Sequence, residues 1–121
     1  WSVDWGEDDA YLDRGEWEMH MRLAEETQAA GKDIILIAQG LPEDLGRHRF
    51  ALGSYLLVAN GNAIFRYAPE TRKVLDYPEY DLDLGEPLGY RYKDGTRWKR
   101  DFTNGSVTVD PDSHLAAIET Q

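Results

Sequence analysis

The sequence lacks cysteine, which excludes disulfide scaffolds, zinc ribbons and thiol catalysis. Long apolar runs are also missing: the longest, residues 34–38, falls far short of the roughly 18 residues that span a bilayer. Basic residues are few, 13 against 23 acidic ones, which gives a formal net charge of -10. That balance argues against nucleic acid and anionic membranes as partners. Because the motifs of metal and nucleotide sites are absent, we predict no metal and no cofactor.

What remains is typical of a globular chain. It has 121 residues, of which 41% are hydrophobic and 12% aromatic, enough for one modest core. We therefore predict a single domain over residues 1–121. The chain has no secretory signal and begins at Trp1 rather than at Met, so we expect that a preceding segment was removed or that the chain is part of a longer polypeptide.

The first half predicts alternating helices and strands. After an acidic loop at 1–13, residues 14–30 have helical periodicity, with Asp13 and Glu16 at capping-box spacing. Residues 33–38 form an uninterrupted branched run, which is typical of a parallel strand buried on both faces. A second helix at 43–59 and a second strand at 63–67 follow. Residues 14–67 thus predict α-β-α-β, or about two βα units with parallel strands.

The second half follows a different pattern. Residues 68–96 are rich in proline and glycine and predict a long irregular loop, a type of segment that often carries function. Residues 97–119 predict a β-hairpin and one short strand, because Asn104-Gly105 separates two alternating runs. The predicted fold class is α/β: a partial (β/α)-barrel-like unit followed by the long loop and the hairpin.

Two polar motifs each allow two interpretations. DLDLG at 81–85 begins like a calcium loop, but the position of the bidentate acid is occupied by Tyr92; the alternative is that Asp81 and Asp83 cap turns and pair with arginines such as Arg91. The run 47–49, Arg-His-Arg, either binds an anion or forms the polar face of the second helix. We favour the structural alternative for both motifs.

Carboxylates are the only catalytic groups that the composition supplies freely, and glycosidases use them in pairs. The catalytic residues stay unknown; Asp4 and Glu7 are the weak candidates. Aromatic rings stack on sugars and polar side chains bind hydroxyls, and in barrel enzymes such groups lie at the carboxyl ends of strands. The predicted substrate-binding residues are Trp1, Trp5, Gln39, Arg66 and Tyr67. Taken alone, the opening segment favours a solvated acidic loop whose tryptophans cover the core, and the alternative is a sugar or cation site.

Three segments resemble the carboxy-terminal part of a family of glycoside hydrolase-like proteins with a (β/α)8 barrel. They are GRHRFALGSYLLVANGNAIFRYA, YPEYDLDLGEPLG and WKRDFTNGSVTVDP, in that order. The family pattern ends in Asn-Pro where this chain has Asp110-Pro111, and the resemblance covers residues 14–119.

The resemblance implies a carbohydrate partner and a barrel of which this chain supplies the last two strands and helices. A closed barrel takes about 250 residues, so the resemblance places the catalytic carboxylates on earlier strands outside this chain. The isolated chain is then expected to be inactive and to need the missing barrel portion or a second copy. The alternative is an autonomous, non-catalytic α/β module that binds a glycan or another protein.

Overall fold

A computed structural model of the chain describes residues 1–4, 10–68 and 77–120. Two helices, α1 (Arg14–Ala29) and α2 (Leu45–Val58), alternate with two strands, β1 (Ile34–Gln39) and β2 (Ala63–Ala68). Four further strands follow: β3 (Tyr92–Asp94), β4 (Arg97–Phe102), β5 (Gly105–Asp110) and β6 (Leu115–Thr120). A short 3₁₀ turn, Pro78–Asp81, lies between the two groups of strands. The predicted α/β class is confirmed.

Both helices begin at an aspartate. The Asp13 side chain accepts a hydrogen bond from the Glu16 amide, as the capping-box spacing predicts, and Asp44 accepts one from the Arg47 amide. The second helix therefore begins after Asp44 rather than at residue 43. Trp17 and Met21 of α1 are completely buried in the core.

The strands β1 and β2 are parallel and in register, with Ile35 beside Ile64 and Ile37 beside Arg66. The expectation that both faces of β1 are buried is wrong. Ile35 is 65% exposed and Ile64 62% exposed, because both helices lie on the opposite face, over Leu36 and its neighbours. The other face carries the exposed residues Ile35, Ile37, Ile64 and Arg66 and ends at the buried Gln39. We term it the bare face.

The helix α2 lies between the parallel strands and the second sheet. This sheet is antiparallel, with strand order β3-β4-β5-β6, and packs against α2 chiefly through β5 and β6. Gly53 makes the close approach possible: a Cβ there would lie 2.8 Å from the Ala116 Cβ and 3.1 Å from a Val109 methyl.

The predicted hairpin is present as β4 and β5, but its turn is Thr103-Asn104 rather than Asn104-Gly105. Gly105 is the first residue of β5, where a Cβ would lie 2.1 Å from the Glu119 carbonyl oxygen. The predicted irregular loop at 68–96 is too long, since its last part forms β3. That strand has three exposed residues and therefore no alternation for a sequence pattern to detect.

Two arginines join the second sheet to the helices. Arg91 donates to both carboxylate oxygens of Glu18 and of Glu25 on α1, at 2.6–3.1 Å, and stacks on Trp98 at 4.2 Å. Burial opposes the charge of Arg91, but the hydrogen bonds to these glutamates outweigh it and raise its pKa. Arg100 of β4 reaches the carboxyl end of α2. In the described residues, no helix is long and apolar enough to cross a membrane.

Candidate functional site

The candidate sugar-binding residues collect around the carboxyl ends of β1 and β2. Gln39 is the last residue of β1, and Arg66 and Tyr67 lie near the end of β2. Trp1 lies beside β1, where its amino group donates to the Ile37 carbonyl at 2.7 Å. Trp5 and Glu7 lie outside the described residues.

A buried arginine organises this end of the sheet. Arg47 of α2 donates through Nε to the Gln39 carbonyl at 2.6 Å, and through its terminal nitrogens to the carbonyls of Ala10 and Asp4. Its guanidinium also lies 5.1 Å from the Tyr11 ring centroid. One side chain therefore fixes the opening segment against the end of β1.

The opening segment is also held to α1. The Trp1 indole nitrogen donates to the His20 carbonyl at 3.3 Å, and the Ser2 amide donates to His20 Nδ1 at 3.0 Å. Burial lowers the pKa of His20, which fits its role as an acceptor there. Trp1 is half-buried, and Asp4 is exposed.

Arg66 and Tyr67 occupy opposite faces of β2. Arg66 lies on the exposed bare face, whereas Tyr67 points toward the helices and is buried. The Tyr67 hydroxyl donates to the Leu41 carbonyl at 3.0 Å and occupies the space that a Cβ at Gly40 would take. Gln39 is buried and shares its face with Arg66. The geometry thus groups Gln39 with Arg66 and gives Tyr67 a hydrogen bond that anchors the loop after β1.

The described residues hold no buried carboxyl group with a raised pKa at this end. Burial raises the pKa of Tyr67, which keeps its phenol protonated. The pKa of the exposed Glu16 is raised, mainly by the neighbouring Asp13 carboxylate and slightly by Asp4. These groups suit hydrogen bonding to hydroxyls better than proton transfer, which requires an acid matched to the operating pH. No cluster of three or more metal-ligating side chains occurs in the described ranges.

Residues 47–49 do not form a polar helix face, because Arg47 and His48 are both fully buried. The His48 ring stacks on Tyr77 with centroids 3.7 Å apart. Its Nε2 lies 3.0 Å from the Tyr80 hydroxyl, and its Nδ1 lies 3.3 Å from a Glu79 carboxylate oxygen. This histidine therefore anchors the 3₁₀ turn to α2. The sequence holds only a weak indication that residue 47 is buried. It follows the cap residue Asp44 by one helical turn, but arginine side chains usually lie on the protein surface.

DLDLG at 81–85 acts as a turn. Asp83 accepts a hydrogen bond from the Gly85 amide at 2.9 Å, as the turn-capping interpretation predicts. The suggested partner Arg91 binds Glu18 and Glu25 of α1 instead. The sequence could not place α1 next to residue 91, since the two are distant along the chain.

The fold defines an α/β protein whose parallel strands are covered by helices on one face and bring the candidate side chains Gln39 and Arg66 to their carboxyl ends. Residues 4–106 match the model of hypothetical glycosyl hydrolase family 15, so the chain belongs to that family and is glycoside hydrolase-like. The resemblance to a family of glycoside hydrolase-like proteins is thereby confirmed, and the place of the chain within a barrel stays a prediction. No curated protein sequence matches the chain.

Proposed function

We propose that this chain is a section of a carbohydrate-active protein and contributes to its sugar-facing rim. The observation that carries the proposal is the bare face of the β1–β2 sheet. In a (β/α)8 barrel, helices cover the outside of each strand, and the inner side chains fill the barrel. The helices α1 and α2 lie on one face of the sheet, and isoleucines are exposed on the other. This one-sided arrangement is what two neighbouring barrel strands require.

The polarity of the bare face supports the same proposal. Toward the amino ends of the strands it carries the pair Ile35 and Ile64. Toward the carboxyl ends, Arg66 lies beside Ile37, and Gln39 lies one step further. Substrates of barrel enzymes bind at the carboxyl ends of the strands, and we propose that Arg66, with the buried Gln39 beside it, borders the bound sugar there. Trp1 adds an indole at the adjacent edge.

We expect the 121-residue chain to be inactive by itself. Glycoside hydrolysis needs two carboxyl groups at a fixed separation, one of them an acid with a raised pKa. Asp4 has an exposed side chain, its backbone carbonyl accepts a hydrogen bond from Arg47, and Glu7 lies outside the described residues. The catalytic pair is therefore proposed to lie on preceding strands.

A hydrolysis assay tests the proposal. Aryl glycosides of common sugars are incubated, between about pH 4 and 8, with the native gene product and with the 121-residue chain. We expect turnover from a gene product that encodes preceding βα units, and a higher KM after Arg66→Ala, with Arg49→Ala on α2 as the matched control. Turnover by the short chain, lost in Asp4→Asn or Glu7→Gln, would overturn the inactive-section proposal.

The second candidate is an autonomous binding module. Its support is the continuous core, in which Trp17, Phe50 and Val107 bring α1, α2 and the second sheet into one buried cluster. A native gene product of 13.8 kDa that is monomeric and unfolds cooperatively would favour this candidate over the barrel section.

A further inference from the structure

A cavity of about 420 Å³ lies at the end of the molecule opposite to the candidate rim. One wall is the carboxyl end of α2, residues 59–61, and the other is the loop at 86–90. Because β2 begins at Ala63, the cavity lies next to the amino ends of the parallel strands, whereas the rim lies at their carboxyl ends. The six residues of β2 separate the two places by roughly 17 Å.

Buried Arg100 holds both walls of this cavity. Its Nη1 donates to the carbonyls of Leu56, Leu57 and Ala59 at 3.1, 3.3 and 2.9 Å, groups that the end of a helix leaves without partners. Its Nε donates to the Gly89 carbonyl at 2.9 Å on the opposite wall. Arg100 is thus a positioning residue that fixes the distance between the α2 terminus and the loop.

The same arginine orients a polar group at the cavity. Its Nη2 donates to Asn60 Oδ1 at 2.7 Å, and the backbone N–H of Asn60 donates to Gln28 Oε1 at 2.7 Å. Guanidinium nitrogens only donate, so the Asn60 oxygen faces Arg100 and its NH₂ group remains for another acceptor. The Asn60 side chain is held at its oxygen by Arg100 and its backbone is held by Gln28, so this residue loses less conformational entropy than an unanchored one when it binds a ligand.

The other wall supplies a carboxylate and a ring. The Glu86 backbone is fixed by two hydrogen bonds with Thr103, while its side chain is exposed at the cavity. Tyr90 follows the anchored Gly89, lines the cavity and is 76% exposed, so its ring is accessible to a ligand. An amide donor, a carboxylate acceptor and an exposed ring around one cavity match what a pyranose presents: adjacent hydroxyls along one edge and a face of C–H groups.

We propose that this cavity is a second, non-catalytic binding site for a neutral sugar unit, in which Asn60 and Glu86 bind neighbouring hydroxyls and Tyr90 stacks on the ring. The proposal rests on the carbohydrate class given under the proposed function. This second site lies away from the proposed rim, because its residues are at the opposite end of the parallel strands. Its role is to hold part of a polysaccharide chain away from the catalytic carboxyl groups, which the proposed function assigns to preceding strands.

The test is a titration of the 121-residue chain with neutral gluco-, galacto- and manno-oligosaccharides, followed by amide NMR. We expect shifts at Asn60, Glu86 and residues 88–90, whether or not Gln39 and Arg66 of the rim also shift. Tyr90→Ala and Glu86→Gln are each expected to weaken binding about tenfold or more, as the loss of a stacked ring or a charged hydrogen bond implies. Tyr92→Ala, an exposed tyrosine outside the cavity, and Glu26→Gln, an exposed glutamate on α1, are the matched controls.

Three outcomes would overturn the second site. They are the absence of shifts with every sugar at millimolar concentration, shifts confined to Gln39 and Arg66, and equal effects of Tyr90→Ala and Tyr92→Ala. Shifts confined to the rim leave the proposed function intact while this inference fails. The opposite result is also possible: sugars bind at Asn60 and Tyr90, but the native gene product hydrolyses no glycoside. That result would contradict the enzyme proposal and support the second site.

Discussion

At the scale of single residues, buried cations hold together segments that secondary structure leaves apart. Arg47 joins the opening segment to β1, Arg91 joins α1 to the loop before β3, and Arg100 joins β4 to the end of α2. A buried charge must have partners, and both Arg47 and Arg100 use backbone carbonyls. Their removal therefore exposes unsatisfied acceptors as well as deleting bonds.

Arg100→Ala should lower the free energy of unfolding by about 2–4 kcal/mol, because three carbonyls near the end of α2 and the Asn60 side chain lose their donor. Urea unfolding followed by circular dichroism measures the change. Arg97→Ala is the control: it changes an exposed arginine of the same strand that lies 3.9 Å from Asp110, and it should cost less than about 0.5 kcal/mol. Equal losses in both variants would show that Arg100 does not cap the helix.

His48 predicts a dependence of stability on pH. Burial lowers the pKa of His48, and this outweighs the opposing effect of Glu79. The unfolded chain therefore takes up the histidine proton at a higher pH than the folded one. The free energy of unfolding should be highest above the unfolded pKa of about 6.5. It should fall as the pH decreases through and below that value.

Thermal unfolding between about pH 5 and 7.5, above the main titration range of carboxylates, tests this. His48→Gln should flatten the curve and leave the contributions of His20 and of the Trp1 amino group, whose pKa values are also lowered by burial. Glu79→Gln should steepen the curve, since the Glu79 carboxylate raises the pKa of His48. Both variants leave the other groups near the ring unchanged: Arg49, Phe65, Tyr67, Tyr77 and Tyr80. Identical slopes in wild type and His48→Gln would refute the assignment.

At the scale of elements, the position of α2 between two sheets depends on a glycine. Gly53→Ala would bring a Cβ within 2.8 Å of the Ala116 Cβ, and should destabilise the fold by about 1–3 kcal/mol through overpacking. Gly46→Ala on the same helix meets no atom closer than 4.0 Å, so it should keep or slightly raise stability. The midpoints of urea unfolding of both variants, compared with that of the wild type, measure these changes in stability. A stabilising effect at both positions would mean that helix propensity outweighs packing here.

Elements with strong local signals were predictable from the sequence, whereas their surroundings were not. The cap at Asp13 and the hairpin near Asn104 follow from residues a few positions apart. The exposure of Ile35 was missed because a branched run looks the same whether one or two layers cover it. The burial of Arg47 and His48 was missed because it depends on an opening segment and a turn that are distant along the chain. The positions of the predicted sugar-binding residues at strand ends follow from local patterns, while the opposite orientations of Arg66 and Tyr67 follow from strand alternation.

At the scale of the whole molecule, the bare face leaves apolar surface without a cover among the described residues. Ile35, Ile37 and Ile64 are adjacent on two paired strands, and their exposed area makes association favourable. We expect the 121-residue chain to self-associate at micromolar concentration through this face. In the proposed barrel, the same surface is covered by the remaining strands.

Ile64→Lys should convert the associated chain into a monomer, because a charge on each copy makes burial of the face costly. The substitution should cost little folding stability, since the side chain is already 62% exposed. Leu115→Lys on β6 replaces an equally exposed residue on a different surface and should leave the association unchanged. Light scattering after gel filtration gives the masses. A wild-type mass of 13.8 kDa at every concentration would contradict the prediction and would support the autonomous module, because an apolar face that attracts no second copy does not require a covering partner.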